Sequence, residues 1–177
     1  MKFVEEEPKE LIVLGIIKNG VSKFDKIKKN TKIDAEELNS ILENLEERGL
    51  ISVHEKKGWF GPKIEIKTTE KGDREVDERV HELQEKWNQM SLLYKQGDKT
   101  KLKKYMDDNR SFLPTMMFFG IMDIMMFSMM FSMMGMMMSD YMPPESIPEG
   151  MDGAEGADGM DGGLDGSDGG FDFDIGF

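Results

Sequence analysis

The sequence predicts a mainly α fold with a small two-stranded β-hairpin, a methionine-rich apolar helix and a disordered acidic tail. Apolar residues recur at helical spacing on both sides of one pair of strand-like runs, which lie between residues 50 and 68. All 23 Lys and Arg residues fall within the first 110 positions, where acids balance them, so the net charge of −12 arises further along the chain. We therefore expect five segments, with boundaries at 1–72, 73–96, 97–111, 112–138 and 139–177.

Two short helices open the first segment. The run ELIVLGIIKN, residues 10–19, is an apolar helix that Gly20 ends. Ser22 and Asp25 then form a capping box for a second helix, in which Ile27 points inward. The predicted order is helix, turn, helix.

The third helix has the clearest boundaries. Asp34 is a suitable N-cap with Glu37 three residues further on, and Gly49 stands where a glycine ends many helices. Between them lies an apolar stripe at helical spacing, formed by Leu38, Ile41, Leu42 and Leu45. The runs LISVHE and KIEIKT follow as two strands around the turn KKGWFGP.

The run AEELNSILENLEERGLISVHEKKGWFGPKIEIKTTEKG resembles the winged helix-turn-helix of prokaryotic regulators of the PadR and MarR kinds. LEERGLI then ends the recognition helix, and KTTEKG leads from the β-wing into a following helix. The resemblance covers about residues 8–96. It implies a winged-helix fold, whose members bind DNA or serve as protein-binding modules.

The exposed residues of this winged helix decide whether it contacts DNA. Lysines cluster on and after the second helix and along the wing, where phosphates usually pass. Polar residues on the outer face of the third helix can hydrogen-bond base edges, but three glutamates on that face repel the DNA backbone. A solvated lysine face is the alternative. The candidate DNA-binding residues are Lys23, Lys26, Lys28, Lys29, Lys32, Asn39, Ser40, Asn44, Lys56, Lys57 and Lys63.

Trp59 and Phe60 lie at the predicted wing tip, between two glycines. Two aromatic side chains on an exposed turn indicate a contact with a partner, because free tips are normally polar. The alternative is that Trp59 folds back onto the sheet.

A heptad seam runs along the helix that follows the wing. Its members are spaced alternately by four and three residues: Val76, Val80, Leu83, Trp87, Met90 and Tyr94. Such a seam predicts a homodimer through residues 73–96, and the resemblance implies the same, because the equivalent helix builds the dimer in those regulators. The stripe also suits packing on its own domain.

Residues 112–138 form the predicted apolar helix and contain most of the protein's 18 methionines. A helix of that length measures about 38 Å, which exceeds a bilayer core of about 30 Å, but Asp123 disfavours insertion. Three interpretations stay open: a membrane span or membrane-surface helix, a helix buried on another protein or a second copy, and an open surface for hydrophobic clients. The residues expected to face the membrane or a hydrophobic partner are Met122, Met126, Met129, Met130 and Met133.

The segment after residue 138 is rich in glycine and acids and is predicted to be disordered. At its end, apolar residues alternate with Asp and Gly, which suits a short extended motif that binds a groove or a sheet edge. The anchors of this motif are Phe171, Phe173, Ile175 and Phe177.

No catalytic site, metal site or cofactor is predicted. His54 and His81 belong to different elements, cysteine is absent, and no glycine-rich phosphate loop follows a strand. Pairs such as Met122 and Met126 have a spacing that suits copper(I), but apolar packing explains them better.

Together these features favour a dimeric winged-helix transcriptional regulator that binds duplex DNA and is not an enzyme. We expect it in the cytoplasm, anchored to the cytoplasmic face of the membrane if the methionine-rich helix spans. The alternative is a non-DNA-binding adaptor or chaperone-like protein that holds hydrophobic clients, or sits at a membrane, through that helix.

Overall fold

The computed structural model describes residues 3–59, 61–142 and 147. The chain divides into two compact units, Met1–Lys86 and Trp87–Phe177, and the boundary falls inside one 26-residue helix. The first unit contains α1 (Phe3–Lys18), α2 (Phe24–Thr31), α3 (Ala35–Glu47), β1 (Ile51–Gly58), β2 (Gly61–Thr68) and the first part of α4 (Glu70–Lys95). The second unit contains the rest of α4, then α5 (Lys99–Asp108), α6 (Leu113–Phe118) and α7 (Ile124–Met134). A mainly helical fold with a two-stranded sheet is confirmed.

The core of the first unit lies between α1, α2, α3 and the base of the hairpin. α1 packs against α2, α3 and β2. The predicted apolar stripe of α3 is buried, and Ile27 is the buried residue of α2. α1 begins at Phe3 rather than at residue 10. The sequence missed this extension because the charged run EEEPKE has no apolar periodicity.

The starts of α2 and α3 differ in how their free amides are satisfied. Asp34 caps α3 as predicted, since its carboxylate accepts from the amides of Glu36 and Glu37 at 3.0 and 2.9 Å. The capping box predicted at Ser22 is wrong, because α2 begins after Lys23, which makes no side-chain cap hydrogen bond. The carbonyl of Ser22 instead anchors the hairpin by accepting a 2.9 Å hydrogen bond from the amide of Ile66.

A tight junction joins the end of α3 to the start of α4. The hydroxyl of Thr69 donates to the carbonyl of Gly49 at 2.7 Å and accepts from the amide of Gly72 at 3.1 Å. Gly72 lies so close to Leu50 that a β-carbon there would stand 2.0 Å from the Leu50 carbonyl oxygen. Only glycine fits at this point of α4, so the junction fixes where α4 leaves the hairpin.

The two strands pair antiparallel, with Ile51 opposite Thr68 at the base and Gly58 opposite Gly61 near the tip. They extend further toward the tip than the predicted runs LISVHE and KIEIKT. Five of the seven residues of the predicted turn KKGWFGP therefore belong to the strands.

A chain of aromatic contacts runs through the second unit. Trp87 of α4 meets Phe127 of α7 edge to face with ring centroids 6.2 Å apart, and Phe127 meets Phe131 at 4.8 Å. Phe131 in turn lies 5.3 Å from the ring of Tyr141. Burial, together with the hydrogen bond that the Tyr141 hydroxyl donates to Asp107, raises the pKa of Tyr141 to about 12. Four methionines of this unit are fully buried: Met90, Met106, Met116 and Met130.

The methionine-rich segment is not the single helix predicted for residues 112–138. α6 ends at Phe118, Gly120 takes a φ of 65°, and α7 begins at Ile124. Asp123 caps α7, because its carboxylate accepts from the amide of Met126 at 2.9 Å. Gly120 and Asp123 thus end one helix and start the next.

The predicted membrane anchor is wrong. α7 has 11 residues, which at a rise of 1.5 Å per residue make a helix of about 16 Å. A bilayer core of about 30 Å is nearly twice as thick. In the described part of the chain, no helix combines the length and apolar character that crossing requires. The described residues therefore do not supply the single span on which the predicted anchoring depends.

Candidate nucleic-acid interface

Exposed lysines lie on α2 and at both of its ends. The helix buries Ile27 completely, which turns the residues around it toward solvent. Five of the lysines predicted to bind DNA lie here and are exposed. None of them has an ion-pair partner among the described residues. We call them the α2 lysines: Lys23, Lys26, Lys28, Lys29 and Lys32.

Lys32 holds a backbone conformation that favours glycine. With φ 57° and ψ 17° at the C-terminus of α2, it is the one non-glycine residue with positive φ in the described part of the chain. This conformation costs an L-residue about 1–2 kcal/mol. Backbone conformations of this kind are concentrated at functional sites. A lysine at this position is therefore consistent with a role of its charge in binding.

The outer face of α3 carries both polar and acidic groups. Its predicted base-contacting residues, Asn39, Ser40 and Asn44, are exposed. The Asn44 side-chain carbonyl accepts from the guanidinium of Arg48 at 3.5 Å. The same face exposes Glu36, Glu43 and Glu47, as the sequence indicated. Negative potential on this face opposes close approach of phosphates.

One face of the hairpin is basic. Lys56 lies directly opposite Lys63 in the strand register, an arrangement of like charges that destabilises a sheet unless an anion neutralises it. Lys56 also pairs with Glu65, and the hydrogen bond from Lys56 holds the pKa of that carboxyl below its usual range. Lys57 lies on the opposite face, across from Pro62.

The wing tip presents an aromatic ring to solvent. Trp59 is 95% exposed, so it does not fold back onto the sheet. Phe60 lies outside the described residues. Val53 and Ile64, on the same face of the hairpin as Lys57, are exposed as well. An exposed aromatic ring at the tip of a hairpin is typical of a contact surface.

The helices α1, α2 and α3 are followed by the hairpin of β1 and β2, which leads into α4. This order of elements is winged-helix-like. Residues 1–87 match the family model of the TFIIE alpha subunit. This is a family of transcription initiation factors with a winged-helix-like domain. The predicted resemblance to winged-helix proteins is therefore supported, whereas the resemblance to the PadR and MarR kinds is not. No curated protein and no solved structure matches the chain.

Arg48, at the C-terminus of α3, forms ion pairs within the matched region. Arg48 contacts Glu10 at 2.8 Å and Glu75 at 3.6 Å, and Glu75 also contacts Arg79 at 3.6 Å. These residues rim a small cleft whose floor includes Leu11 and Leu14. Sequence reasoning missed this network. Only the i,i+4 spacing of Glu75 and Arg79 signals it, because the other contacts join distant parts of the chain.

The two histidines of the chain lie on separate elements. His54 lies on β1 and His81 on α4, and both are exposed. Among the described residues, no group of three or more His, Asp and Glu side chains is placed to hold a metal ion.

The predicted dimer seam is largely covered within one chain. Val76, Leu83, Trp87 and Met90 are buried, while Val80 and Tyr94 are half-buried. Packing inside each unit therefore accounts for the heptad spacing without a partner helix. The homodimer stays a prediction.

The five methionines predicted to face a membrane or a partner differ in their exposure. Met122 and Met130 are buried, Met126 and Met133 are half-buried, and Met129 is exposed. The predicted terminal anchors Phe171, Phe173, Ile175 and Phe177 lie outside the described residues, as does most of the segment predicted to be disordered.

Proposed function

We propose that the matched region is the winged-helix DNA-binding part of a protein that acts in transcription. The observation that carries the proposal is the set of α2 lysines, which are exposed and have no ion-pair partner among the residues that the structure describes, in a region that matches the TFIIE alpha family. Unpaired ammonium groups neutralise phosphates without first breaking an ion pair, and the released counterions drive association.

In this proposal, contacts with the DNA backbone contribute more to the binding free energy than contacts with the bases. α3 offers Asn39, Ser40 and Asn44 to base edges, but the three glutamates of its outer face repel phosphate. We therefore expect affinity to be weak and nearly independent of sequence. Lys63, on the basic face of the hairpin, supplies a second phosphate contact, whereas Lys56 must first leave its ion pair with Glu65.

Trp59 gives the wing a contact that does not depend on charge. Its exposed ring suits a contact with a protein of the transcription machinery. Duplex DNA and transcription proteins are therefore the proposed partners.

The decisive experiment compares two charge-matched variants of the full chain by fluorescence anisotropy with several unrelated duplexes. Lys26, Lys28 and Lys29 are changed to Ala in one, and the exposed Lys95, Lys99 and Lys103 in the other. We expect the first variant to lose affinity for all duplexes alike. The slope of log affinity against log salt should fall by about 2 to 3, as each lost phosphate contact removes about 0.9.

The control variant should bind like the unaltered chain, since its lysines lie in the second unit. Equal losses in both variants would show that only net charge matters. If the full chain bound no duplex at low salt, the adaptor function would be favoured instead, and the exposed side chains Met125 and Met129 are the observation that supports it.

A further inference from the structure

Three methionine side chains of the second unit stand in solvent. Met125 is 65% exposed, Met129 50% and Met137 72%. We call them the exposed methionines. Scattered apolar residues on a surface are normal, but these belong to one short segment whose other apolar residues are largely covered.

α7 separates its buried and exposed residues by face. Phe127, Met130 and Phe131 are buried, whereas Met125 and Met129 are one turn apart and therefore neighbours on the opposite side. No charged residue occurs between Ile124 and Met134. This side of α7 is thus an apolar, adaptable surface of thioethers.

The chain leaves the described region close to α7. Tyr141 is buried against Phe131, and its hydroxyl lies 3.9 Å from the sulfur of Met136. Met142 is buried too. Whatever follows Met142 is therefore tethered beside the helix that carries two of the exposed methionines.

The same chain ends in a segment whose chemistry fits this surface. Its last seven residues, FDFDIGF, place an apolar side chain at every second position, so an extended strand would present all four on one side. Aromatic rings make favourable contacts with thioether sulfur. The connection is long enough, because residues 143–170 reach about 90–100 Å when fully extended, which exceeds the size of a unit of this length.

We propose that Phe171, Phe173, Ile175 and Phe177 dock on the exposed methionines of the same chain. Tethering gives the segment an effective concentration on the order of millimolar, so a contact too weak to hold a free peptide suffices in the intact protein. The two intervening acids face water and do not contribute to the contact.

Oxidation by hydrogen peroxide measures whether the sulfurs are covered. Each thioether takes one oxygen atom to become a sulfoxide, and the peroxide is reduced to water. The full chain is compared with a Phe171→Ser, Phe173→Ser, Phe177→Ser variant and with a matched Asp172→Asn, Asp174→Asn variant. Sulfoxide formation at each methionine is followed by peptide mass spectrometry, with added N-acetylmethionine as the internal standard.

The serine variant should oxidise about threefold faster at Met125, Met129 and Met137, because only the open form reacts and about two thirds of the native chains would be closed. The asparagine variant should match the native chain, and a synthetic FDFDIGF peptide at millimolar concentration should restore protection to the serine variant.

Equal rates in all three proteins would overturn the proposal. Protection that grows with protein concentration and survives the serine substitutions would assign the surface to a second copy instead. An equal acceleration at the fully buried Met130 would attribute the effect to unfolding and would also contradict docking.

Discussion

Gly72 has no room for a larger side chain. An alanine there gains about 1 kcal/mol in helix propensity, but its β-carbon would stand 2.0 Å from the carbonyl oxygen of Leu50, which is backbone and cannot rotate away. Overpacking of this kind costs about 1–3 kcal/mol or more. We expect Gly72→Ala to destabilise the first unit and to weaken DNA binding, as measured by urea unfolding and anisotropy.

Gln84→Ala is the control for this substitution, because Gln84 is exposed on the same helix. It should leave both measurements unchanged within about 0.5 kcal/mol. A stability gain in Gly72→Ala would mean that α4 leaves the hairpin along a different path from the one described.

At single residues, local rules predicted part of the structure. Asp34 caps α3 as its sequence context required, whereas Ser22 does not cap α2 and anchors the hairpin through its carbonyl instead. The difference is physical, because a side-chain cap depends on its own helix while the Ser22 contact depends on a strand more than forty residues away. The ion pairs of Arg48 escaped prediction for the same reason.

Among the elements, periodicity predicted the helices of the first unit and the exposure of all eleven candidate DNA-binding residues. It failed in the methionine-rich segment, where almost every residue is apolar and no face stands out. Gly120 followed three residues later by Asp123 was the available signal, since glycine ends helices and aspartate starts them.

Substitution of Asp123 tests whether this residue caps α7. Asp123→Ala removes the acceptor of the Met126 amide and should lower the stability of the second unit by about 1 kcal/mol. Asp123→Asn keeps a capping oxygen and should cost much less, although it removes the same charge. Fluorescence of Trp87, which contacts Phe127 of α7, reports the unfolding in a Trp59→Phe background. Equal stability of the alanine and asparagine variants would contradict the cap.

Over the whole molecule, charge is segregated along the chain. The α2 lysines belong to a first segment in which cations and acids balance, whereas residues 143–177 contain ten acids and no Lys or Arg. The intact chain therefore approaches DNA with a net charge of −12 although its proposed contact face is positive. Long-range repulsion of this kind is screened by salt, because the Debye length falls from about 30 Å at 0.01 M to about 8 Å at 0.15 M.

Truncation after Met142 changes the net charge from −12 to −2 and leaves every described lysine in place. We expect it to raise DNA affinity several-fold at low salt, with the gain shrinking as salt screens the repulsion. A full-length variant with the ten acids changed to their amides should reproduce the gain, which separates charge from chain length. The Phe171→Ser, Phe173→Ser, Phe177→Ser variant keeps all ten acids and should bind DNA like the native chain. Equal affinities of the native, truncated and amide-substituted proteins at low salt would show that the acids do not act on the DNA-binding face.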